Sequence, residues 1–442
     1  MRGMTWLVAI GLVVVLSGPA VAQEAGFSAA DFTARRDKLI SQIGDAVAVV
    51  PPSNADVWYL SGIEGREVGL ILVPPGAARR APNPEAWKTT AYLPARSPRA
   101  GVWNDTLTSV GDDIKAQTGI DNTAPVSRLL ADVAKLALIA DTIYIPYRSA
   151  PAGDGELAAD LKFVESVRRM LPEVRIKNLA PLITDMRWAK SAAEITVMRR
   201  AEAITADAFI DAAKRAAPGM FEYEIEAGIN HIFRARGSSR PAFLIIGSGP
   251  NSCILHHMSN DRQMRQDELL LIDIGTVYKH TETDLTRTIP VSGTFTPEQR
   301  KIYDIVLEAN KKAIAAVKPG MTLADVHRVA YDVIDKAGYG KYLIHGTNHT
   351  LNGGSERLPH GSGLVPDRTT RPGFSNDKPI VPGTMFTIEP GIYIPEKNLG
   401  IRIEDDVLVT DTGCEVLTAG APKEIAEIEK LVRSGKPGVT RH

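Results

Sequence analysis

The sequence predicts an α/β N-terminal domain followed by a larger α+β domain made of one unit used twice around a pseudo-two-fold axis. Three observations point there. Short β-like runs alternate with helical stretches through the first third of the chain. A helix, Pro-Gly-Met break, helix, glycine pattern recurs 101 residues on. A β-rich segment follows each copy of that pattern, and acidic residues sit inside its apolar runs.

Composition sets outer limits. With 442 residues the chain can bury more than one core. Lys and Arg number 51 against 52 Asp and Glu, a net charge of −1, so the basic excess that carries nucleic-acid affinity is missing. A 44% hydrophobic and 23% charged composition belongs to a globular chain. Two cysteines, Cys253 and Cys414, make neither a disulfide framework nor a structural zinc cluster. A metal here must be held by His, Asp and Glu.

Met1 to Ala22 carries one cation, Arg2, an apolar run from Trp6 to Leu16, then Ser17-Gly18-Pro19 and Ala20-Val21-Ala22. That run is too short to span a hydrocarbon core, and Ala20 and Ala22 match the small-residue cleavage pattern of an export signal. The expectation is a signal peptide at 1–22 and an exported protein, periplasmic or secreted, with an uncleaved anchor as the alternative. No other segment is apolar enough to span a membrane.

Residues 23–185 form the expected N-terminal domain, with β-like runs at Val47 to Val50, Val68 to Val73 and Thr142 to Tyr147 and helical stretches at Phe32 to Ile43 and Glu156 to Leu171. Ser191-Ala192-Ala193-Glu194 reads as a capping box opening a long amphipathic helix that stops at Pro218-Gly219. The second domain is placed at 186–433, with 434–442 as a flexible tail. Inside it, Pro218-Gly219-Met220 recurs as Pro319-Gly320-Met321. In the same register Glu224 matches Asp325, Ile225 matches Val326, Phe233 matches Ile334 and Gly237 matches Gly338. Two halves facing each other would place one site at their centre.

The chemistry concentrates in the β-rich segments. Asp273 ends the apolar run Leu270 to Ile272, Asp284 sits in a second β-like run, Glu389 follows Met385 to Ile388, and Glu404 follows Ile401-Arg402-Ile403. Four carboxylates in apolar strands are costly without cations, and Arg287 and Arg402 are too few. Divalent metal is the economical answer. His345-Gly346-Thr347-Asn348-His349 offers an imidazole, but Gly346 stands where a zinc-protease H-E-x-x-H motif carries Glu. An oxygen-rich set favours Mn²⁺ and leaves Zn²⁺, Co²⁺ or Fe²⁺ open. Four carboxylates suit two ions about 3.5 Å apart, bridged by carboxylates and by a hydroxide. Other features read as structural. Gly247-Ser248-Gly249 precedes what reads as strand, Cys253 to His257, and so lacks the helix of a phosphate loop. Cys253 reads as a core residue, and His231 and His327 as surface or satisfied helix histidines. Of His256 and His257, the exposed one reads as ordinary.

These residues closely resemble a known family. Leu271-Ile272-Asp273-Ile274-Gly275, Asp284-Leu285-Thr286-Arg287-Thr288, His345 to His349, Thr387-Ile388-Glu389-Pro390-Gly391 and Arg402 to Asp406 are similar to the pita-bread metallopeptidases, which include aminopeptidase P, prolidase, methionine aminopeptidase and creatinase. Arg35-Arg36, Trp58 to Gly62, Leu93 to Arg96 and Trp103 resemble the N-terminal domain of the aminopeptidase P branch.

The resemblance implies a pita-bread second domain and two divalent ions per subunit. Asp273, Asp284, His349, Glu389 and Glu404 would be the ligands, with Asp284 and Glu404 bridging. Glu389 would also take a proton from water and pass it to the leaving nitrogen. His256 would hydrogen-bond the scissile amide, His345 would line the pocket, and Arg402 would orient carboxylates from behind. The implied activity is release of the N-terminal residue from peptides with proline second. Xaa-Pro dipeptidase, a creatinase-type amidinohydrolase and a non-catalytic binding protein are the alternatives, and a homo-oligomer stays open. The chain departs from the family at His360, which follows His349 by 11 residues where relatives have seven. Either an enlarged loop displaces His360 or it changes which peptides fit.

Overall fold

The computed structural model describes residues 26–54, 56–96, 108–147, 158–351 and 378–435. The expected export signal, Trp103, His360 and residues 436–442 lie outside them.

The first unit is a six-stranded mixed sheet in the order β4-β3-β2-β1-β5-β6. Its strands are β1 (Val47–Val50), β2 (Gly69–Leu72), β3 (Thr90–Leu93), β4 (Asn122–Pro125), β5 (Thr142–Ile145) and β6 (Arg175–Asn178). Side chains alternate between faces, and both faces are covered. Val47, Val49 and Ile71 join one core with Val164 and Val167 of helix α2 (Ala159–Met170). Ala48, Val50, Leu70 and Leu72 join the other with Leu39 and Ile43 of helix α1 (Ala29–Ile43). This double burial explains why the central strands β1 and β2 read as continuous apolar runs. Helix α3 (Ala180–Trp188) runs through the expected 185/186 boundary. Its Ile183 and Met186 belong to the first unit's core, whereas Trp188 belongs to the second unit's core and its Nε1–H donates to Pro379 O at 3.0 Å.

The second unit carries the longer helices α4 (Ala192–Arg215), α5 (Glu222–Ala235), α6 (Pro297–Ala316), α7 (Leu323–Lys336) and α8 (Ile425–Ser434). The Ser191–Glu194 capping box opens α4: Ser191 N donates to Glu194 Oε2 at 2.9 Å, and Ser191 Oγ accepts from Glu194 N at 3.3 Å. The repeat is visible in the backbone. Helices α5 and α7 start and stop 101 residues apart. Gly219 and Gly320 hold φ of +89° and +91°, where an L side chain would be strained. Gly219 N donates to Met264 O and Gly320 N to Ile380 O, both at 2.9 Å. The return bonds, Met264 N to Met220 O and Ile380 N to Met321 O, are both 2.8 Å.

The strands inside these helices are β7 (Arg240–Ser248), β8 (Leu269–Tyr278), β9 (Thr281–Glu282), β10 (Leu285–Pro290), β11 (Met385–Ile388), β12 (Gly391–Ile394), β13 (Leu399–Arg402), β14 (Asp405–Val409) and β15 (Cys414–Val416). They pair as β10-β8-β7 with β9 on β8, as β11-β14-β15, and as β12-β13. An antiparallel bridge between Thr286 and Glu404 joins the two halves at their centre.

Two local expectations need correction. Asp273 does not end its strand. It is the fifth of ten residues in β8, paired with Ile245 on one side and Thr286 on the other. Residues 253–257 are not strand either. Gly249–Cys253 is a 3₁₀ helix, because Gly249 takes φ +51° and Pro250 has no N–H to continue the ladder after Ser248.

Candidate metal centre and active site

The central strands deliver five of the singled-out side chains to one place. Asp273 comes from the middle of β8, Asp284 from the step into β10, Glu389 from the end of β11 and Glu404 from the turn after β13. His349 comes from a segment laid along β11, where Thr387 N donates to His349 O at 2.9 Å and Glu389 N to Thr347 O at 2.8 Å. None of the five is more than 6% exposed. Ligand-capable atoms of Asp284, His349 and Glu404 all lie within 4.8 Å of one another. His349 Nε2 is 3.3 Å from Asp284 Oδ2 and 3.7 Å from Glu389 Oε1. Asp273, Asp284, Glu389 and Glu404 line a single cavity of about 200 Å³ together with His256, His345, Arg402, Leu255 and Ile344.

The electrostatics are those of a site that needs cations. Burial pushes the Glu404 carboxyl well above the usual range, and the charges of Asp284, Glu389 and Asp273 push it further against the opposing pull of Arg402. Arg402 is the guanidinium inside the cluster, its NH2 donating to Asp273 Oδ2 at 2.6 Å, its Nε to Thr286 Oγ1 at 3.1 Å and its NH1 to the Tyr393 hydroxyl at 2.8 Å. Burial disfavours its charge, yet Tyr393, Asp273, Glu404 and Glu389 hold it protonated well beyond the ordinary arginine range. Arg287, which the sequence offers as a second cation, points elsewhere. It pairs with Asp405 at 2.7 Å. Four buried carboxylates thus face one guanidinium, and a pair of divalent cations fits that donor set.

The two histidines of His345 to His349 differ in what they meet. His349 sits among the carboxylates, whereas His345 Nδ1 lies 2.7 Å from Gly346 O and its Nε2 lies 2.8 Å from the Tyr393 hydroxyl. A carbonyl can only accept, so Nδ1 donates to Gly346 O, while the Tyr393 oxygen accepts from Arg402 NH1 and hydrogen-bonds His345 Nε2. The structure thereby links Arg402, Tyr393 and His345 in one polarised chain. His256 is exposed and faces the cavity, and His257 is buried against Glu222 at 3.1 Å. Of the pair, the exposed histidine is thus the one that lines the cavity. His327 is a satisfied helix histidine, its Nδ1 accepting from Thr347 N at 3.2 Å, and burial lowers its pKa. Burial raises that of the Cys253 thiol, as suits an unreactive cysteine.

Sequence reasoning passes over several residues around the site. Thr286 Oγ1 donates to Glu404 Oε2 at 2.5 Å, and Asp284 N donates to Asp406 Oδ2 at 2.8 Å. Asp406 lies beside Glu202, whose carboxyl burial pushes up to about 8. Tyr393 is the largest omission. It lies in an apolar strand whose pattern gives no sign of a polar task.

A buried imidazole and four carboxylates, gathered where two pseudo-symmetric halves meet, define a metallohydrolase of the pita-bread fold. The chain belongs to metallopeptidase family M24, whose pattern matches residues 196–411. It is 32% identical over 416 residues to the Xaa-Pro aminopeptidase of Escherichia coli K12, covering 86% of this chain and 88% of that one. It is 35% identical over 279 residues to the Xaa-Pro dipeptidase of Pyrococcus furiosus, covering 63% and 76%. A solved structure of Escherichia coli aminopeptidase P with the inhibitor Pro-Leu superimposes with a TM-score of 0.78 at 29% identity, over 93% of this chain and 99% of that one.

Proposed function

We propose that the protein is an Xaa-Pro aminopeptidase that releases the N-terminal residue from peptides with proline second, using two divalent metal ions, and that it works outside the cytoplasm. The buried Asp284–His349–Glu404 cluster beside Asp273 and Glu389 carries the reading. Aminopeptidase is favoured over dipeptidase because the likeness to the Escherichia coli enzyme includes the N-terminal sheet and covers 86% of the chain, against 63% for the Pyrococcus enzyme.

In this reading Asp273, Asp284, His349, Glu389 and Glu404 would hold the metals, with Asp284 and Glu404 as the shared ligands. When bound, the ions supply Lewis acidity and lower the pKa of water. Glu389 accepts a proton from water and returns it to the prolyl nitrogen as the amide breaks. His256, at the open side of the cavity, donates to the scissile amide. Arg402 holds Asp273 in orientation, and its bond to Tyr393 helps fix His345 at the cavity wall. The oxygen-rich donor set favours Mn²⁺, with Zn²⁺, Co²⁺ or Fe²⁺ as competitors. The Met1 to Ala22 pattern supports export to the periplasm or beyond. No helix among the described residues is long and apolar enough to cross a membrane.

The test compares a Xaa-Pro-Xaa tripeptide with a Xaa-Pro dipeptide using Mn²⁺-loaded protein. Release from the tripeptide is expected to dominate. Preference for the dipeptide would make the protein a dipeptidase, and release from neither would end the peptidase reading.

A further inference from the structure

A second buried cluster lies behind the cavity, around Glu222 at the start of α5. Glu222 is fully buried. It accepts from Ser248 N at 2.6 Å, Ser248 Oγ at 2.7 Å, Arg262 N at 3.1 Å and Asn251 Nδ2 at 3.2 Å, and faces His257 Nε2 at 3.1 Å. Glu222, His257 and Asp261 together have the composition of a metal site. They are not one, because the Glu222 oxygens are already taken up by protein donors.

What those donors share is their place in the chain. Ser248 is where residues 248–262 leave β7, Arg262 is where they end, and Asn251 and His257 lie between. His256 projects into the cavity from this segment. Its neighbours Ile254 and Met258 are 54% and 62% exposed, and the attachments of the segment to buried Glu222 are those made by Ser248, Asn251, His257 and Arg262. The segment is therefore held from beneath. A second strap reinforces the first: Ser252 Oγ accepts from Gly400 N at 2.8 Å, and a Cβ on Gly400 would come within 2.0 Å of Ser252 O.

The other half repeats the device with different chemistry. One repeat further on, the first turn of α7 holds the segment that delivers His345 and His349. Leu323 O accepts from Asn348 Nδ2 at 2.9 Å, and His327 Nδ1 accepts from Thr347 N at 3.2 Å. His327 stands 101 residues after Glu226, which itself accepts from Asn260 Nδ2 at 2.9 Å in the first half. In each half, the opening turn of the helix after the Pro-Gly-Met break clamps a histidine-bearing segment.

We propose that Glu222 is a positioning residue, which sets turnover by holding the 248–262 segment so that His256 meets the substrate, without contributing to metal binding. The inference rests on the role given to His256 above. Its test is a double-mutant cycle of Glu222→Gln and His256→Ala in the metal-loaded full chain, reading kcat, KM and metal content on a Xaa-Pro tripeptide. Glutamine keeps the volume but turns an NH2 group toward donors, so the segment shifts. A misplacement of about 1 Å costs roughly a hundredfold in rate. Glu222→Gln is expected to lower kcat by about tenfold to a hundredfold with metal content unchanged, and to cause no further loss in the His256→Ala background. His257→Gln removes a single clamp and is expected to give a smaller loss with the same dependence on His256. It carries the test if Glu222→Gln does not fold. Unchanged kcat, loss of metal in step with activity, or losses that multiply in the double variant would overturn the proposal while leaving the role of His256 intact. An unchanged kcat in His256→Ala alone would remove that role and the proposal with it.

Discussion

Asp405 and Glu404 are neighbours in the chain, equally buried, and neutralised in opposite ways. Asp405 accepts from Arg287 at 2.7 Å, Lys423 at 2.6 Å and Thr418 at 2.7 Å. Burial alone would raise its pKa, but Arg287 and Lys423 overcome that and hold the carboxyl well below the usual range. Glu404, one residue earlier, faces Asp284, Glu389 and Asp273 and is pushed well above it. A carboxylate that serves the fold comes with cations supplied by the chain. Glu404 is left with an excess of like charge around it, which suits an ion supplied from outside.

The sharpest way to break this contrast is to remove each acid in turn. Asp284→Ala or Glu404→Ala is expected to abolish both metal binding and turnover while leaving a folded chain, read by metal analysis and peptide hydrolysis. Retained activity in either would refute the bridging assignment. Asp405→Asn is expected to do the reverse. It strands Arg287 and costs about 3–5 kcal/mol in chemical unfolding, with metal content kept in the folded fraction.

A smaller effect is expected at Arg402, whose guanidinium donates to Asp273. Arg402→Lys keeps the charge but cannot reach Asp273, Thr286 and Tyr393 together, so activity should fall roughly 10- to 100-fold. A loss below twofold would show that orientation of Asp273 does not matter.

Acidity separates the two carboxylates most gently. The folded pKa of Asp405 lies below its unfolded value, so its stabilisation is present at neutral pH and is lost as pH falls below about 4. The stability gap between wild type and Asp405→Asn should therefore be constant from about pH 5 to 7 and close in acid. The raised pKa of Glu404 has the opposite sign. Metal must displace its proton, so metal uptake in weakly buffered solution is expected to release protons and to weaken as pH falls. Uptake that releases no protons would contradict the raised value.

The legible parts of the molecule are those in which one local pattern suffices. The apolar runs of β1, β2 and β8, the Ser191–Glu194 cap and the Pro-Gly-Met repeat can be read along the chain because period, cap and turn are short-range signals. Asp273, Asp284, Glu389 and Glu404 stand out because each interrupts apolar sequence. What stays hidden depends on partners far away in sequence. Arg287 looks like a neutraliser of the site until the fold brings it to Asp405, 118 residues on. Thr286 and Tyr393 take on a polar task only when Glu404, Arg402 and His345 arrive beside them. The 3₁₀ turn before His256 is masked by apolar residues that mimic a strand.

The central claim is that the unbalanced carboxylates hold a metal pair that cleaves before proline. Its most direct test is titration of metal-free protein with Mn²⁺ while following release of the first residue from a Xaa-Pro-Xaa tripeptide. The account predicts no release without metal, and release that rises as two equivalents bind per chain. Full activity in the metal-free protein, or two bound ions with no release from any Xaa-Pro peptide, would contradict it.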